Sequence, residues 1–274
     1  MHVAVPDQSR RTLQVTAEHL AATRTALAAL HPPNDALLVD GAIIDRLADR
    51  AGDRYVWHVE PGSAYRESSL LRLRIDEARI DPDARLAHGA LGLIYALHTA
   101  LALDPALPIV GIQDVGYAVP IFEGAHIAAM IEPPDGELGA FAVTSDQFEP
   151  NLAINGKIVY GPIWQGHDSR AFVSLAEQQL FTLEEAIGVV SALIGSWAQD
   201  SGGRALYRGQ RLELRSLLSS DDTLVATGEV VDRRPGHRIG ERITARIMVA
   251  STRTDATIAS GESVFLYSYG SDGL

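Results

Sequence analysis

The sequence predicts an α+β chain built twice on one plan, each half a long buried helix followed by a run of antiparallel strands. Three observations carry that prediction. The stretch HGALGLIYALHTALAL (His88 to Leu103) is apolar almost all round, which marks a helix enclosed by other structure rather than one lying on a surface. A second such helix, FTLEEAIGVVSALIGSWAQD (Phe181 to Asp200), starts roughly 90 residues later. Each is followed by short segments of alternating apolar and polar residues separated by turn signals, the pattern of half-buried strands. Order and spacing together read as an internal duplication.

Taken along the chain, residues 1–35 form an alanine-rich N-terminal extension with helical spacing in TAEHLAATRTALAAL. Residues 36–160 form the first repeat and residues 161–274 the second, packed as one unit. Within the first repeat, LLVDGAIIDRLADRA places Leu37, Ile43, Ile44 and Leu47 at helical intervals. The segments YVWHVEPG and SLLRLRIDEARI alternate and are expected as strands. After the His88 helix come strands over IVGIQDVGYAVPI, HIAAMIEP, LGAFAVTSDQF and NLAINGKIVYGPI, parted by FEG and PPDGE. In the second repeat a short strand, AFVSLAEQQ, precedes the helix. The strands RALYRGQRLELRSLL, TLVATGEVVDRR, ERITARIMVAST and ATIASGESVFLYSYG follow it.

Composition narrows the chemistry. With 274 residues and 46% hydrophobic content the chain can bury a large core. It contains no cysteine, which removes disulfides, thiolate ligands and cysteine nucleophiles, and Lys157 is its one lysine. A formal charge of −12 argues against nucleic acid or an anionic membrane as partner. No apolar run reaches the length of a membrane span and no signal peptide is apparent, so a cytoplasmic location is expected. Metal-ligand spacings such as His-x-x-x-His, Walker or Rossmann glycine loops and a Gly-x-Ser-x-Gly elbow are missing from the sequence; neither metal nor bound cofactor is expected.

Three stretches carry a family resemblance. His88-Gly89 opening the helix, with Pro120-Ile121-Phe122-Glu123-Gly124 after a later strand, is similar to the core of MaoC-like enoyl-thioester hydratases and dehydratases. Leu206-Tyr207-Arg208-Gly209-Gln210 looks like the strand after the helix in the same family. Tyr160-Gly161-Pro162-Ile163-Trp164-Gln165-Gly166 resembles the segment joining the two halves of polyketide-synthase dehydratase domains. The resemblance implies a double hotdog and an enzyme that adds or removes water at the β-carbon of an acyl thioester. The acyl group would be carried on CoA or on the phosphopantetheine of an acyl carrier protein, and the enzyme would be a monomer or homodimer. A hotdog thioesterase, or a dehydratase-like protein repurposed for isomerisation or cyclisation, is the alternative.

The chain departs from the family at its acid–base pair. MaoC-type hydratases carry Asp-x-Asn-Pro-x-His ahead of the helix. Counting back from His88 puts Arg66 and Leu71 in those places, and Asp83 to His88 has the separation without the Asn-Pro. Chemistry must then come from other residues. His88 is the candidate base, because imidazole titrates in the useful range. Gly89 would let a thioester carbonyl approach the positive end of the helix. Glu184 and Glu185, in the first turn of the second helix as read from sequence, are candidate acids, and His167 after the joining segment is a third catalytic candidate. Asp114, Tyr117 and Tyr160 are expected to face the substrate. Arg204 and Arg208 are expected to hold the phosphate of a pantetheine arm, since guanidinium pairs with phosphate bidentately.

Overall fold

A computed structural model describes residues 8–14, 36–104, 108–161, 172–200, 202–216, 222–235 and 240–269. Its strands are β1 (Gln8–Gln14), β2 (Leu37–Leu38), β3 (Ile109–Tyr117), β4 (His126–Ile131), β5 (Leu138–Ser145) and β6 (Leu152–Tyr160), then β7 (Gly203–Leu214), β8 (Thr223–Pro235), β9 (Glu241–Ser251) and β10 (Thr257–Tyr269). Its helices are α1 (Gly41–Ala51), α2 (Val56–Val59), α3 (Ser63–Glu67), α4 (Ser69–Ala78), α5 (Gly89–Leu103) and α6 (Phe172–Asp200).

All the strands join one sheet of ten, in the order β1-β8-β9-β10-β7-β3-β6-β5-β4-β2. Read outward from the central β7–β3 pair, the halves match: β3-β6-β5-β4-β2 on one side, β7-β10-β9-β8-β1 on the other. Each half wraps a helix, α5 against β4, β5 and β6, and α6 against β7, β8 and their neighbours. This is the double hotdog. Strand β1 pairs with β8 along its whole length, so Gln8–Gln14 lies on the second repeat's side of the sheet; the helical reading of TAEHLAATRTALAAL falls outside the described residues.

Burial follows the patterning. Strands β5 and β9 alternate buried with partly exposed positions, as one-sided strands do. Helix α5 is buried from Ala90 to Leu97, and nearly every described side chain of α6 from Leu183 to Ala198 is buried. Trp197 on α6 packs against Phe265 of β10, the rings tilted with centroids 5.8 Å apart, seating the second helix on its half of the sheet.

Two sequence expectations change. YVWHV and SLLRLRIDEARI are helical (α2 and α4), not strands. In α4, Ser68 caps the helix by accepting from Leu71 N–H at 3.1 Å, and the buried residues are Leu71 and Ile75, four apart. The helical period therefore outweighs the apparent two-residue alternation. Of the expected strand AFVSLAEQQ, the described residues from Phe172 onward belong to α6. Among the described residues no helix is long and apolar enough to cross a membrane.

Candidate active site

The segment between β2 and α5 folds back across the junction of the two repeats. Helix α1 starts at Asp40, whose carboxylate accepts from Ile43 N–H at 2.8 Å, and stops at Gly52, in the left-handed region at φ 68°. That glycine turns the chain so that the next residue, Asp53, runs onto α6. The facing stripe of α6 is small: Gly188, Ser191 and Gly195. A Cβ on Gly195 would lie 2.7 Å from Asp53 Oδ1, and one on Gly188 would lie 3.2 Å from Ala51 Cβ. Glycine at 195 is what gives the Asp53 carboxylate its place.

Asp53, His58 and His88 meet there, all buried. Burial pushes the Asp53 carboxyl up, but the imidazoles of His58 and His88, the Ser191 hydroxyl and Tyr55 N–H outweigh it and hold the group below the usual carboxylate range. Ser191 Oγ donates to Asp53 Oδ2 at 2.6 Å. The His58 and His88 rings stack with centroids 3.8 Å apart. His58 Nδ1 lies 2.7 Å from Leu86 O, and His88 Nε2 lies 2.9 Å from the Asp53 carbonyl. A carbonyl only accepts, so in the neutral rings both of these nitrogens carry the hydrogen. His58 Nε2 and His88 Nδ1 are then bare, and His88 Nδ1 is buried without a hydrogen-bond partner. Burial and the neighbouring imidazole depress His58 to about 4, which keeps it neutral near pH 7. The cluster is thus one carboxylate and two unprotonated imidazole nitrogens, a set arranged to receive a proton.

These groups open into a cavity of 80 Å³, room for a few waters or the reacting end of a small ligand. Its remaining wall is mainly apolar and includes Leu86, Ile121, Ile154 and Ile194. Gly89 opens α5, whose N-terminus is its positive end; Leu91 N–H turns back to His88 O at 2.9 Å, leaving the N–H groups of Gly89 and Ala90 at the mouth. Tyr117 ends β3 and packs over Gly89, its Cε1 3.0 Å from where a Cβ would sit. Tyr207 comes from β7, across the central seam where Gly116 pairs with Gly209. Its ring lies 5.4 Å from that of Tyr117. The two motifs of the resemblance touch: Ala87 N–H donates to Ile121 O at 2.8 Å, so the Pro120–Gly124 segment braces the chain entering His88.

Of the residues nominated from sequence, His88, Gly89, Tyr117 and Arg208 line this cavity. Arg208 is half-buried, and burial together with the nearby Arg74 lowers its pKa. Arg204 lies beside the cavity and is engaged at 2.6 Å by Glu67. Glu184 and Glu185 are elsewhere: Arg50 of α1 reaches them at 3.2 and 2.9 Å, and His98 Nε2 stands 3.8 Å from Glu184. Their place near the start of the second helix as read from sequence made them candidate acids; in the structure they pair with Arg50 and tie α1 to α6. Asp114 sits on a bulge of β3 at φ 53° and points to solvent, where Lys157 pairs with it at 3.0 Å. Tyr160, buried at the end of β6, packs against Gly139 away from the cavity. His167 and the joining segment from Pro162 to Gly166 lie outside the described residues.

Asp53 and His58 were missed, although a signal existed. Asp53-Arg-Tyr-Val-Trp-His58 has the Asp-to-His separation of Asp-x-Asn-Pro-x-His, but without the Asn-Pro and farther from His88 than a fixed offset allows. The same three side chains form the group among the described residues with metal-ligating potential, their ligand atoms within 4.8 Å of one another. Sequence spacing overlooked it because the residues come from separate segments. The two rings stack at an interplanar angle of 27°.

No protein-family model matches the chain, and no curated protein matches it. The chain is similar to several solved structures at low identity. One from Chloroflexus aurantiacus, named as a MaoC domain protein dehydratase, is 9% identical with a TM-score of 0.49, covering 95% of each chain. A conserved hypothetical protein of Mycobacterium tuberculosis described as a double hotdog is 9% identical, TM-score 0.48, covering 94% of each chain. A tesB protein of Mycobacterium avium is 10% identical, TM-score 0.48, covering 67% of this chain and 88% of its own. The chain is a double hotdog by its own topology, with its acid–base cluster at the seam between the repeats.

Proposed function

We propose that this protein is a hydratase or dehydratase acting at the β-carbon of an acyl thioester carried on CoA or an acyl carrier protein. The observation that supports it most is the Asp53–His58–His88 cluster, with its bare imidazole nitrogens, beside the N-terminus of α5 in a cavity. The resemblance of His88-Gly89 and Pro120–Gly124 to MaoC-like hydratases points the same way.

In the hydration direction, water gives a proton to His58 Nε2 as its oxygen bonds to the β-carbon. The double-bond electrons move toward the α-carbon and the thioester carbonyl, whose oxygen faces the first-turn N–H groups of α5. The His58 imidazolium, stabilised by the Asp53 carboxylate, returns the proton to the α-carbon. Dehydration is the reverse. His88 Nδ1 gives the water a second acceptor. Arg208, at the cavity and in no salt bridge with a carboxylate among the described residues, is proposed to hold the anionic carrier arm.

The test is incubation with 3-hydroxyacyl and 2-enoyl thioesters, followed by mass. Gain or loss of one water is expected, and Asp53→Asn and His58→Gln should each lower kcat/KM at least ~100-fold while remaining folded. Free thiol without hydration would reassign the site to thioester hydrolysis. Neither product would sink the reading.

A further inference from the structure

We propose that the Tyr207 hydroxyl, supplied by the second repeat, is a catalytic hydrogen-bond donor to the oxygen added to or removed from the substrate's β-carbon. This rests on the hydratase reading and adds to it a residue from the other half of the molecule.

The cluster already described consists of acceptors: a carboxylate and two bare imidazole nitrogens. A departing hydroxyl, or a water about to attack, also needs a donor to fix its orientation and absorb developing charge. Two hydroxyls face the cluster from the second repeat. That of Ser191 is spent on Asp53 at 2.6 Å. Tyr207 lines the cavity, and its hydroxyl oxygen is buried beside Ser191 without a hydrogen bond of normal geometry. A buried hydroxyl with nothing to bind is costly, and native structures rarely leave one so unless a ligand completes it. Burial, with Tyr117 and Asp53 adding to it, raises the phenol well above its usual value, so it stays protonated and acts as donor, never as base. Its ring is held against that of Tyr117, whose own hydroxyl donates to Gln210 Oε1 at 3.2 Å. Tyr117 is thereby occupied. Tyr55 also lines the cavity with a hydroxyl lacking a hydrogen bond of normal geometry, but that hydroxyl lies against the Ala205 backbone, whereas the Tyr207 hydroxyl lies beside Asp53 and Ser191.

Tyr207→Phe keeps the ring and its packing and removes only the hydroxyl. We expect kcat/KM to fall ~100-fold, mostly in kcat, with the pH dependence unshifted and the melting temperature equal to or above that of the unaltered protein. Loss of activity together with a lowered melting temperature would mean that the hydroxyl is a structural bond to Ser191, and would overturn the proposal. Activity within twofold of the unaltered enzyme would overturn it too. Should the unaltered protein turn over no thioester, the hydratase reading fails on its own, and binding then tests Tyr207. 3-Hydroxybutyryl-CoA should bind more tightly than butyryl-CoA, and Tyr207→Phe should abolish that preference; a preference that survives refutes the role.

Discussion

Replacing Gly195 with alanine perturbs the candidate site through one methyl group. The added Cβ would lie 2.7 Å from Asp53 Oδ1 and 3.3 Å from Tyr55 Cβ. Ordinary van der Waals contact begins near 3.4 Å, so the carboxylate must retreat by about 0.7 Å. Catalytic groups tolerate displacements of roughly 0.5 Å, and a 1 Å error costs on the order of 100-fold. A fall in kcat/KM of about 30- to 100-fold is therefore expected. Stability should change little, because alanine gains about 1 kcal/mol of helix propensity over glycine and offsets the strain. Gly188→Ala is the matched control on the same face. Its Cβ meets Ala51 Cβ at 3.2 Å, a shortfall of about 0.2 Å that two methyl groups can absorb. It should raise the melting temperature and leave turnover intact. Initial rates on a 2-enoyl thioester and thermal melts of both variants decide the matter. Full activity in Gly195→Ala would refute the placement of Asp53 on this helix; equal damage from both variants would show a general loss of packing instead.

Acidification should destabilise the protein through His58. Its pKa is about 4 when folded against an unfolded reference of 6.5, so between these values the unfolded chain binds the extra proton and stability falls as pH falls. The full loss, on the order of 3 kcal/mol, is reached below pH 4. Denaturant titrations from pH 7 to pH 4 should show this slope, and His58→Gln should flatten it. Arg50→Met removes the cation that Glu184 and Glu185 both face and should cost about 3–5 kcal/mol in unfolding free energy. The activity of the folded fraction should be unchanged, whereas a catalytic Glu184 or Glu185 would lose turnover. Arg208→Gln should raise KM for CoA thioesters about tenfold with little change in kcat, and KM for an N-acetylcysteamine thioester lacking the phosphates should not move.

The apolar spacing of His88 to Leu103 was enough to identify a buried helix, because a helix without a polar face has nowhere to go but inside a sheet. The same reasoning located α6, though not its start, since AFVSLAEQQ reads equally well with either period. For YVWHV and SLLRLRIDEARI, local alternation misled: the Ser68 cap and burial of Leu71 and Ile75 come from contacts that sequence spacing does not contain. The candidate site divided in the same way. His88-Gly89 and Tyr117 were readable from motif and position, while Glu184 and Glu185 were acids whose partner, Arg50, lies 135 residues from Glu185 in the chain. Asp53 and His58 carried a usable spacing, hidden by an offset from α5 that loop length can alter freely.

Sequence alone determined the duplicated helix-and-strand plan, the absence of thiol chemistry, and the glycine-opened helix at His88, because periodicity and composition are properties of neighbouring residues. Tertiary structure alone decided which half supplies which group. Asp53, His58 and His88 come from the first repeat, and Ser191, Gly195 and Tyr207 from the second. They meet because α1 ends in a left-handed glycine that lays Asp53 onto a small-residue stripe of α6, and because β3 and β7 pair at the seam. The pairing of Glu184 and Glu185 with Arg50 of α1 came the same way, from where the countercharge lies in three dimensions.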